Sequence, residues 1–225
     1  HWNYDDVIAV GKGVNIVLGG NGGDTITGGT DSDVVIGDNG RASFDSVAGE
    51  SILTDITTID PTFGDNDVIN VGAGTNTVIG GLGTDYINVD QTTLLPLGTG
   101  EGDDVILGDN GRAVFNAAGA VIFITTATND PFEADLGDPA LGELDYIFAG
   151  NGSNTILGGA GGDTITGGAN RDVVVGDNGR AIFDTDGALT FITTTDPAIG
   201  GSDTISVGNG SNTVLGGADG DTIIG

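Results

Sequence analysis

Residues 19–36 read GGNGGDTIT followed by GGTDSDVVI, two consecutive rows of nine residues with one design. Each row opens with two glycines, carries Asp24 or Asp33 at its sixth position and places Ile26 or Val35 two residues later. Asp or Asn recurs at this spacing along the chain, and Ile or Val stands two positions after each of them. These residues are Asp6, Asn15, Asp24, Asp33, Asp67, Asn76, Asp85, Asp145, Asn154, Asp163, Asp172, Asp203, Asn212, Asp221 and, after a ten-residue insertion, Asp104. So regular a repeat predicts a solenoid in which each Ile or Val faces inward on a short strand.

The rows alternate between two environments. The residue three positions after the Asp or Asn is apolar in one row and mostly polar in the next, as in Leu18, Thr27 and Ile36. The full period is therefore eighteen residues, with two rows to a coil. One sheet then points apolar side chains outward: Ile16, Leu18, Val34, Ile36, Val105, Leu107, Leu157, Val173, Val175 and Leu215. We expect this face to be covered, because a contiguous exposed apolar patch is normally an interface.

Three related segments interrupt the rows, and each follows a GDNGR sequence that begins at Gly37, Gly108 or Gly176. The segments run over residues 41–60, 112–130 and 180–196, and each ends at the Asp of an Asp-Pro pair. Each contains an alternating run, a glycine-containing turn and a second run rich in Ile, Phe and Thr, with Phe44, Phe115 or Phe183 in the first run. This pattern predicts β-hairpins with Phe in their core, and these hairpins are the candidates to cover the apolar sheet. The larger unit is about seventy residues long, as the GDNGR spacing shows.

Three turns spell GGxGxD in full, at residues 19–24, 80–85 and 158–163. They resemble the RTX (hemolysin-type) calcium-binding nonapeptide repeat of proteins exported by type I secretion. The resemblance implies an all-β fold: a parallel β-roll or β-solenoid of nine-residue rows, two per coil, here interrupted by β-hairpin insertions. It also implies that calcium ions lie between successive turns, held by aspartate side chains and turn carbonyls.

The candidate calcium ligands follow from that resemblance. The carboxylates are those of Asp6, Asp24, Asp33, Asp67, Asp85, Asp104, Asp145, Asp163, Asp172, Asp203 and Asp221, and the carbonyls are those of Gly20, Gly22, Gly81, Gly83, Gly159 and Gly161. The eighteen-residue period stacks Asp6 on Asp24, Asp67 on Asp85, Asp145 on Asp163 and Asp203 on Asp221. Two carboxylates ~5 Å apart repel by about 3 kcal/mol at an effective dielectric near 20, so the stack requires a cation.

Other acidic and amide positions fit the pattern less well. Asp6, Asp67, Asp145 and Asp203 do not follow a complete GGxGx turn. On the opposite edge Asn15 pairs with Asp33 and Asn154 with Asp172, and we expect those sites to be weak or vacant. Asp38, Asp109 and Asp177 of the GDNG sequences are interpreted as turn residues. The stretch Asp184 to Gly187 is similar to the start of an EF-hand loop but lacks the remaining ligands, so it predicts a hairpin turn.

Composition excludes several functions. The chain has 33 acidic residues against 5 basic ones, a net charge of -28, and no Cys or Met. Nucleic acid is therefore an unfavourable partner, and no apolar run reaches the ~20 residues of a membrane span. The chain offers one His, no thiol nucleophile and none of the glycine-rich or zinc motifs of enzymes, while Trp2, Tyr4, Tyr86 and Tyr146 look scattered. We therefore expect no catalytic activity.

These observations leave three functional hypotheses. The favoured one is a calcium-rigidified structural segment of a secreted bacterial surface protein, such as an adhesin, surface layer or filament, that packs against further repeats and other copies. The alternative is the calcium-triggered secretion and folding module of an exported enzyme or toxin, and the third, a solenoid that holds ligands on threonine rows, is disfavoured because Asn70, Asn88, Phe148 and Ser206 break those rows. We expect an extracellular location, a longer parent chain, and blocks at residues 1–66, 67–144, 145–202 and 203–225.

Overall fold

The computed structural model describes residues 4–47, 49–98, 100–128 and 136–225, and the side chain of Val47 lies outside this description. Two parallel sheets face each other along the chain, as the row pattern predicts. Sheet A has eight strands, and its strands are, in spatial order, β1 (Val7–Ala9), β3 (Thr25–Thr27), β7 (Val68–Asn70), β9 (Tyr86–Ile87), β13 (Tyr146–Phe148), β15 (Thr164–Gly168), β19 (Thr204–Val207) and β21 (Thr222–Ile224). Sheet B has seven: β2 (Ile16–Leu18), β4 (Val34–Ile36), β8 (Thr77–Gly81), β10 (Val105–Asp109), β14 (Thr155–Leu157), β16 (Val173–Val175) and β20 (Thr213–Leu215).

The register of both sheets keeps equivalent residues of successive rows in line. Ile26 of β3 pairs with Ile8 of β1 and with Ile69 of β7. The chain therefore alternates between the two sheets and advances by one strand in each sheet per coil. The parallel β-solenoid that the nine-residue rows predict is confirmed.

The core between the sheets is built from the inward Ile and Val of the rows. Ile26, Ile69, Ile106, Ile156 and Val174 are fully buried there. β-Branched side chains favour strands, and burial of each side chain contributes about 1.5–3 kcal/mol. The row pattern therefore fixes the core.

The hairpins form a third, antiparallel sheet of six strands. In chain order they are β5 (Gly40–Val47), β6 (Glu50–Thr58), β11 (Gly111–Phe115), β12 (Val121–Thr126), β17 (Gly179–Phe183) and β18 (Leu189–Thr194). The three predicted hairpins are present, and β6 pairs with β11 and β12 with β17, so each hairpin also joins the next one. The Asp130-Pro131 breaker lies outside the described residues.

This hairpin sheet covers the outer face of sheet B. Ile36, Ile79 and Leu107 of sheet B are fully buried in one apolar cluster with Ile56 and Ile124 of the hairpins. The predicted cover is therefore supplied by the chain itself, while the two outward residues of β2 stay 37% exposed. The hairpins thus bury most of this apolar face, and packing against other copies stays a prediction.

Two expectations about aromatic residues were wrong. Phe115 is buried beneath the hairpin sheet, but Phe44 is 50% exposed, because it lies near the free edge of that sheet on β5. Tyr86 and Tyr146 are not scattered: their rings stack with centroids 5.3 Å apart, because β9 and β13 are neighbours. Trp2 lies outside the described residues. The described residues contain no helix with the length and apolarity that a bilayer crossing requires.

Candidate metal centre

One aspartate precedes every strand of sheet A, and together these residues form a single line that we call the aspartate column. It consists of Asp6, Asp24, Asp67, Asp85, Asp145, Asp163, Asp203 and Asp221. The main-chain amide of each aspartate donates to Oδ1 of the next one, at 2.6–3.1 Å. The column therefore runs without a break along one edge of the solenoid.

Glycine makes the turns of this column possible. The carbonyl candidates Gly20, Gly22, Gly81, Gly83, Gly159 and Gly161 all have φ between 111° and 127°, a range that strains other residues. The glycine before these turns meets a different demand: a Cβ atom on Gly80 or Gly158 would overlap Oδ2 of Asp85 or Asp163. The glycines thus leave room for both the bend and the carboxylate.

The second oxygen of each internal carboxylate is unused. Within the described part of the chain, the Oδ2 atoms of Asp24, Asp67, Asp85, Asp145, Asp163 and Asp203 are buried and have no hydrogen-bond partner. An unpaired buried polar atom costs about 1–3 kcal/mol, and more when it is charged. A line of such atoms requires either protons or cations.

The electrostatics of the metal-free column are unfavourable for ionised carboxylates. Burial, followed by the charges of Asp145 and Asp67, raises the pKa of Asp85 well above its usual value. Burial and the charge of Asp38 raise the pKa of Asp67 to about 9, and burial raises that of Asp203 to about 7. The pKa values of Asp145 and Asp163 are likewise raised by burial and by neighbouring carboxylates. At neutral pH these groups therefore favour a bound cation over bare ionisation.

The donor set fits a hard cation. Calcium takes six to eight oxygen ligands, including carboxylates and main-chain carbonyls, in flexible geometry. No three His, Cys, Asp or Glu side chains of the described residues converge as a self-sufficient metal cluster, so a site here has to combine carboxylates with turn carbonyls. The buried, unpaired Oδ2 atoms in glycine-lined turns supply the carboxylate part of such a set.

The opposite edge carries what we call the mixed column, in which Asn and Asp alternate before the strands of sheet B. Its members are Asn15, Asp33, Asn76, Asp104, Asn154, Asp172 and Asn212. The same amide-to-Oδ1 bonds link them, at 2.7–3.2 Å. Burial raises the pKa of Asp104 to about 7, while hydrogen bonds from Asn76 act in the opposite direction. This column is less acidic because every second member is neutral.

The stacked pairs predicted from the eighteen-residue period are all present, but the structure also joins them across the insertions. Asp24 is bonded to Asp67 and Asp85 to Asp145, although hairpins separate them in the sequence. Sequence reasoning missed these links because the hairpins hide the period. The equal row pattern on both sides of each hairpin is the signal that could have shown that the solenoid resumes in register.

The GDNG aspartates lie closer to the column than a simple turn role suggests. Asp38 and Asp109 are buried, and Oδ2 of each accepts a bond from the amide of Leu82 or Ala160 at 2.5 Å. They therefore hold a neighbouring turn, and burial raises the pKa of Asp38 to about 8.

Arg112 pairs with Asp55 of the hairpin sheet at 2.5 Å. Oδ1 of Asp184 accepts the amides of Asp186 and Ala188, as expected of a hairpin turn.

The chain matches the family model of the RTX calcium-binding nonapeptide repeat over residues 10–41, 62–91, 99–113, 148–182 and 198–225. No curated protein and no solved structure matches it. The matched ranges cover more than half of the chain, and they include every member of the mixed column and all members of the aspartate column except Asp6 and Asp145. Repeats of this kind bind calcium ions, in agreement with the unpaired carboxylate oxygens of the aspartate column. The chain therefore belongs to the RTX calcium-binding nonapeptide repeat family.

Proposed function

We propose that this chain is a structural segment of a secreted bacterial surface protein, an adhesin, surface layer or filament, which calcium makes rigid outside the cell. The observation that carries the proposal is the unbroken aspartate column with its buried, unpaired Oδ2 atoms. Its site ligands are the column aspartates, Asp33, Asp104 and Asp172 of the mixed column, and the turn carbonyls of the glycines named above.

The physical logic is a folding switch. With little calcium the column repels itself, whereas millimolar calcium binds the folded state and stabilises it by mass action. A site at ten times its dissociation constant contributes about 1.4 kcal/mol, and extracellular calcium modules work with dissociation constants of about 10⁻⁴–10⁻³ M. Weak sites in a line suffice, because each coil also stabilises its neighbours.

The hairpin sheet favours a structural role over a simple secretion signal. Pairing of β6 with β11 and of β12 with β17 links successive repeats through a second set of contacts, alongside those of the solenoid. These additional contacts increase the resistance of a rod to bending and extension. We accordingly assign the chain no catalytic activity of its own, in keeping with a family of structural repeats.

Calcium titration tests this proposal. We expect the chelated chain at pH 7.4 to lose most β-sheet circular dichroism and to expand in X-ray scattering, and calcium to restore a stiff rod cooperatively. A chelated chain that keeps its spectrum, its dimensions and its resistance to pulling in a force experiment would contradict the proposal.

The second candidate is the calcium-triggered secretion and folding module of an exported enzyme or toxin. The same buried carboxylates favour it, because they keep the chain unfolded where calcium is scarce. It predicts that a passenger fused before the chain is exported by a type I system and folds only outside. Equal export of a passenger that lacks the chain would remove this candidate.

A further inference from the structure

The amide nitrogen of Asn154 lies inside a cage of oxygen atoms. Its Nδ2 is 3.3 Å from the carbonyl oxygen of Gly150, 3.4 Å from that of Gly152 and 3.1 Å from that of Gly167. Oδ1 of Asp172, in the next turn, lies 3.0 Å away. Main-chain carbonyls of two successive turns and one carboxylate therefore surround a single nitrogen, in the arrangement expected of a calcium ligand set.

The orientation of this amide is fixed by its partners. All four oxygen atoms accept hydrogen bonds, so only the NH₂ group can face them. The other atom of the amide, Oδ1, accepts the main-chain amide of Asp104 at 3.0 Å. A reversed amide would place an oxygen among four oxygens and would lose the bond to Asp104.

The other asparagines of the mixed column repeat the arrangement. Nδ2 of each donates to carbonyl oxygens of its own turn, and in two of them also to the next aspartate. For Asn15 the acceptors are Gly11 (3.1 Å), Gly13 (2.8 Å) and Asp33 Oδ1 (2.8 Å); for Asn76 they are Gly74 (3.0 Å) and Asp104 Oδ1 (3.1 Å); for Asn212 the acceptor is Gly208 (2.9 Å). All four asparagine turns thus share an amide that donates to a turn carbonyl, and Asn154 has the most complete set of oxygen partners.

The aspartate turns of the same column lack this internal donor. Among the described residues, Oδ2 of Asp104 and of Asp172 is buried and has no hydrogen-bond partner. A Cβ atom on Gly167 would lie 2.7 Å from Oδ2 of Asp172, so the carboxylate occupies the glycine-lined space of its turn. Oδ2 of Asp33, in contrast, accepts the main-chain amide of Gly29 at 2.9 Å. Turns filled by an amide thus alternate with turns that contain a carboxylate, and in two of these three described turns its Oδ2 is unpaired.

The sequence encodes the two kinds of turn differently. Before the asparagine turns, an apolar residue replaces the first glycine of the GG pair: Val10, Val71, Ala149 and Val207. Val71, Ala149 and Val207 are buried in the core between sheets A and B. Asp33 and Asp172, in contrast, follow turns that begin with two glycines. The turn before Asp104 begins with Thr99 and Gly100, so this sequence difference holds for two of the three aspartate turns.

We propose that the carboxamide groups of Asn15, Asn76, Asn154 and Asn212 take the place of calcium in their turns, so that the mixed column binds ions only at alternate turns. The inference rests on the proposed function of the aspartates as calcium ligands and specifies which turns of the rod need no ion. The amide supplies two N–H donors to oxygens that would otherwise require a cation, and it adds no charge. In the folded rod these turns therefore need no ion of their own.

Replacing the amide with a carboxylate tests the proposal directly. Asn154→Asp keeps Oδ1 as the acceptor for Asp104 but removes the donor from the cage, so we expect one additional calcium ion per chain in equilibrium dialysis. The matched control is Asn116→Asp, which makes the same charge change in a hairpin turn, where Oδ1 accepts the amides of Ala118 and Ala120. The control should bind the wild-type number of ions.

The outcomes separate this inference from the proposed function. If the wild-type chain binds no calcium, the proposed function fails. If the wild-type chain binds calcium but folded Asn154→Asp binds no more than Asn116→Asp, only the present inference is overturned. Asn15→Asp, in a more exposed turn, repeats the test with less risk to folding. If neither Asn154→Asp nor Asn15→Asp folds at any calcium concentration, the assignment is also contradicted.

Discussion

Each internal aspartate of the column uses its two oxygens for different tasks. Oδ1 of Asp145 accepts the amide of Asp85 at 2.8 Å, which maintains the turn, whereas Oδ2 is buried and unpaired among the described residues. Asparagine can perform the first task but cannot supply a negative ligand for the second. If the column aspartates bind calcium as proposed, the difference between Asp and Asn decides whether a turn depends on the ion.

At this scale we predict that Asp145→Asn has opposite effects at low and high calcium. Without calcium the variant should be more stable than the wild type, by up to about 3 kcal/mol, because one buried charge and its repulsions are removed. At saturating calcium it should be less stable, since one ligand is lost. The β-sheet circular dichroism that remains in chelator measures the first effect, and urea unfolding at saturating calcium measures the second. Asp45→Asn on exposed β5 is the control, with a change in unfolding free energy within about 0.5 kcal/mol. Effects of the same sign in both conditions would contradict the division of roles.

The hairpins act as structural elements and not as loose insertions. Their apolar residues bury the outer face of sheet B, and their strands join into one sheet across three repeats. A hairpin alone is only marginally stable in water, so each one depends on the solenoid beneath it and on its neighbours. The hairpin sheet should therefore add stability that does not depend on calcium binding.

Ile124→Ala tests whether the hairpin sheet adds stability independently of calcium binding. Ile124 on β12 is fully buried, and truncation of such a side chain costs about 2–5 kcal/mol. We expect the urea midpoint at saturating calcium to fall accordingly, with no change in the number of bound ions. The control is Ile182→Ala on neighbouring β17, whose side chain is 39% exposed. Equal losses in the two variants would show that the hairpin sheet does not depend on this packing.

For the whole molecule, the metal-free fold concentrates negative charge along one edge. Burial is the first cause of the raised pKa values in the column, and repulsion between carboxylates adds to it. The folded chain without metal therefore binds more protons than the unfolded chain, whose aspartates titrate near 3.8. By linkage, this contribution to stability is fully present below about pH 4 and is lost as the pH rises through the folded values, about 7 for Asp203 and about 9 for Asp67.

We therefore predict that acid substitutes for calcium. In chelator the chain should fold and melt cooperatively at pH 5 but be largely unfolded at pH 8, and added calcium should stabilise it strongly at pH 8 and little at pH 4. Thermal melts followed by circular dichroism measure both trends. A chelated chain whose stability rises with pH over this range would contradict the electrostatic account.

The amino-acid sequence by itself determined the winding, the core and the candidate ligands. A period of nine with Ile or Val two positions after Asp or Asn leaves one way to bury the apolar residues, and stacking of Asp145 on Asp163 follows from it. These features are local and repeated, so the sequence displays them directly. The ligand roles of the individual aspartates stay a proposal.

Only the tertiary structure decided how the interrupted rows reconnect. Long hairpin insertions separate Asp24 from Asp67 and Asp85 from Asp145 in the sequence. Only the strand pairing shows that the rows on either side of each insertion are in register. The cover of sheet B and the amide of Asn154 among four oxygens also depend on contacts between distant residues. Such contacts form where separate turns meet in space, because the free energy of closing a turn depends on the neighbour above it as much as on its own residues.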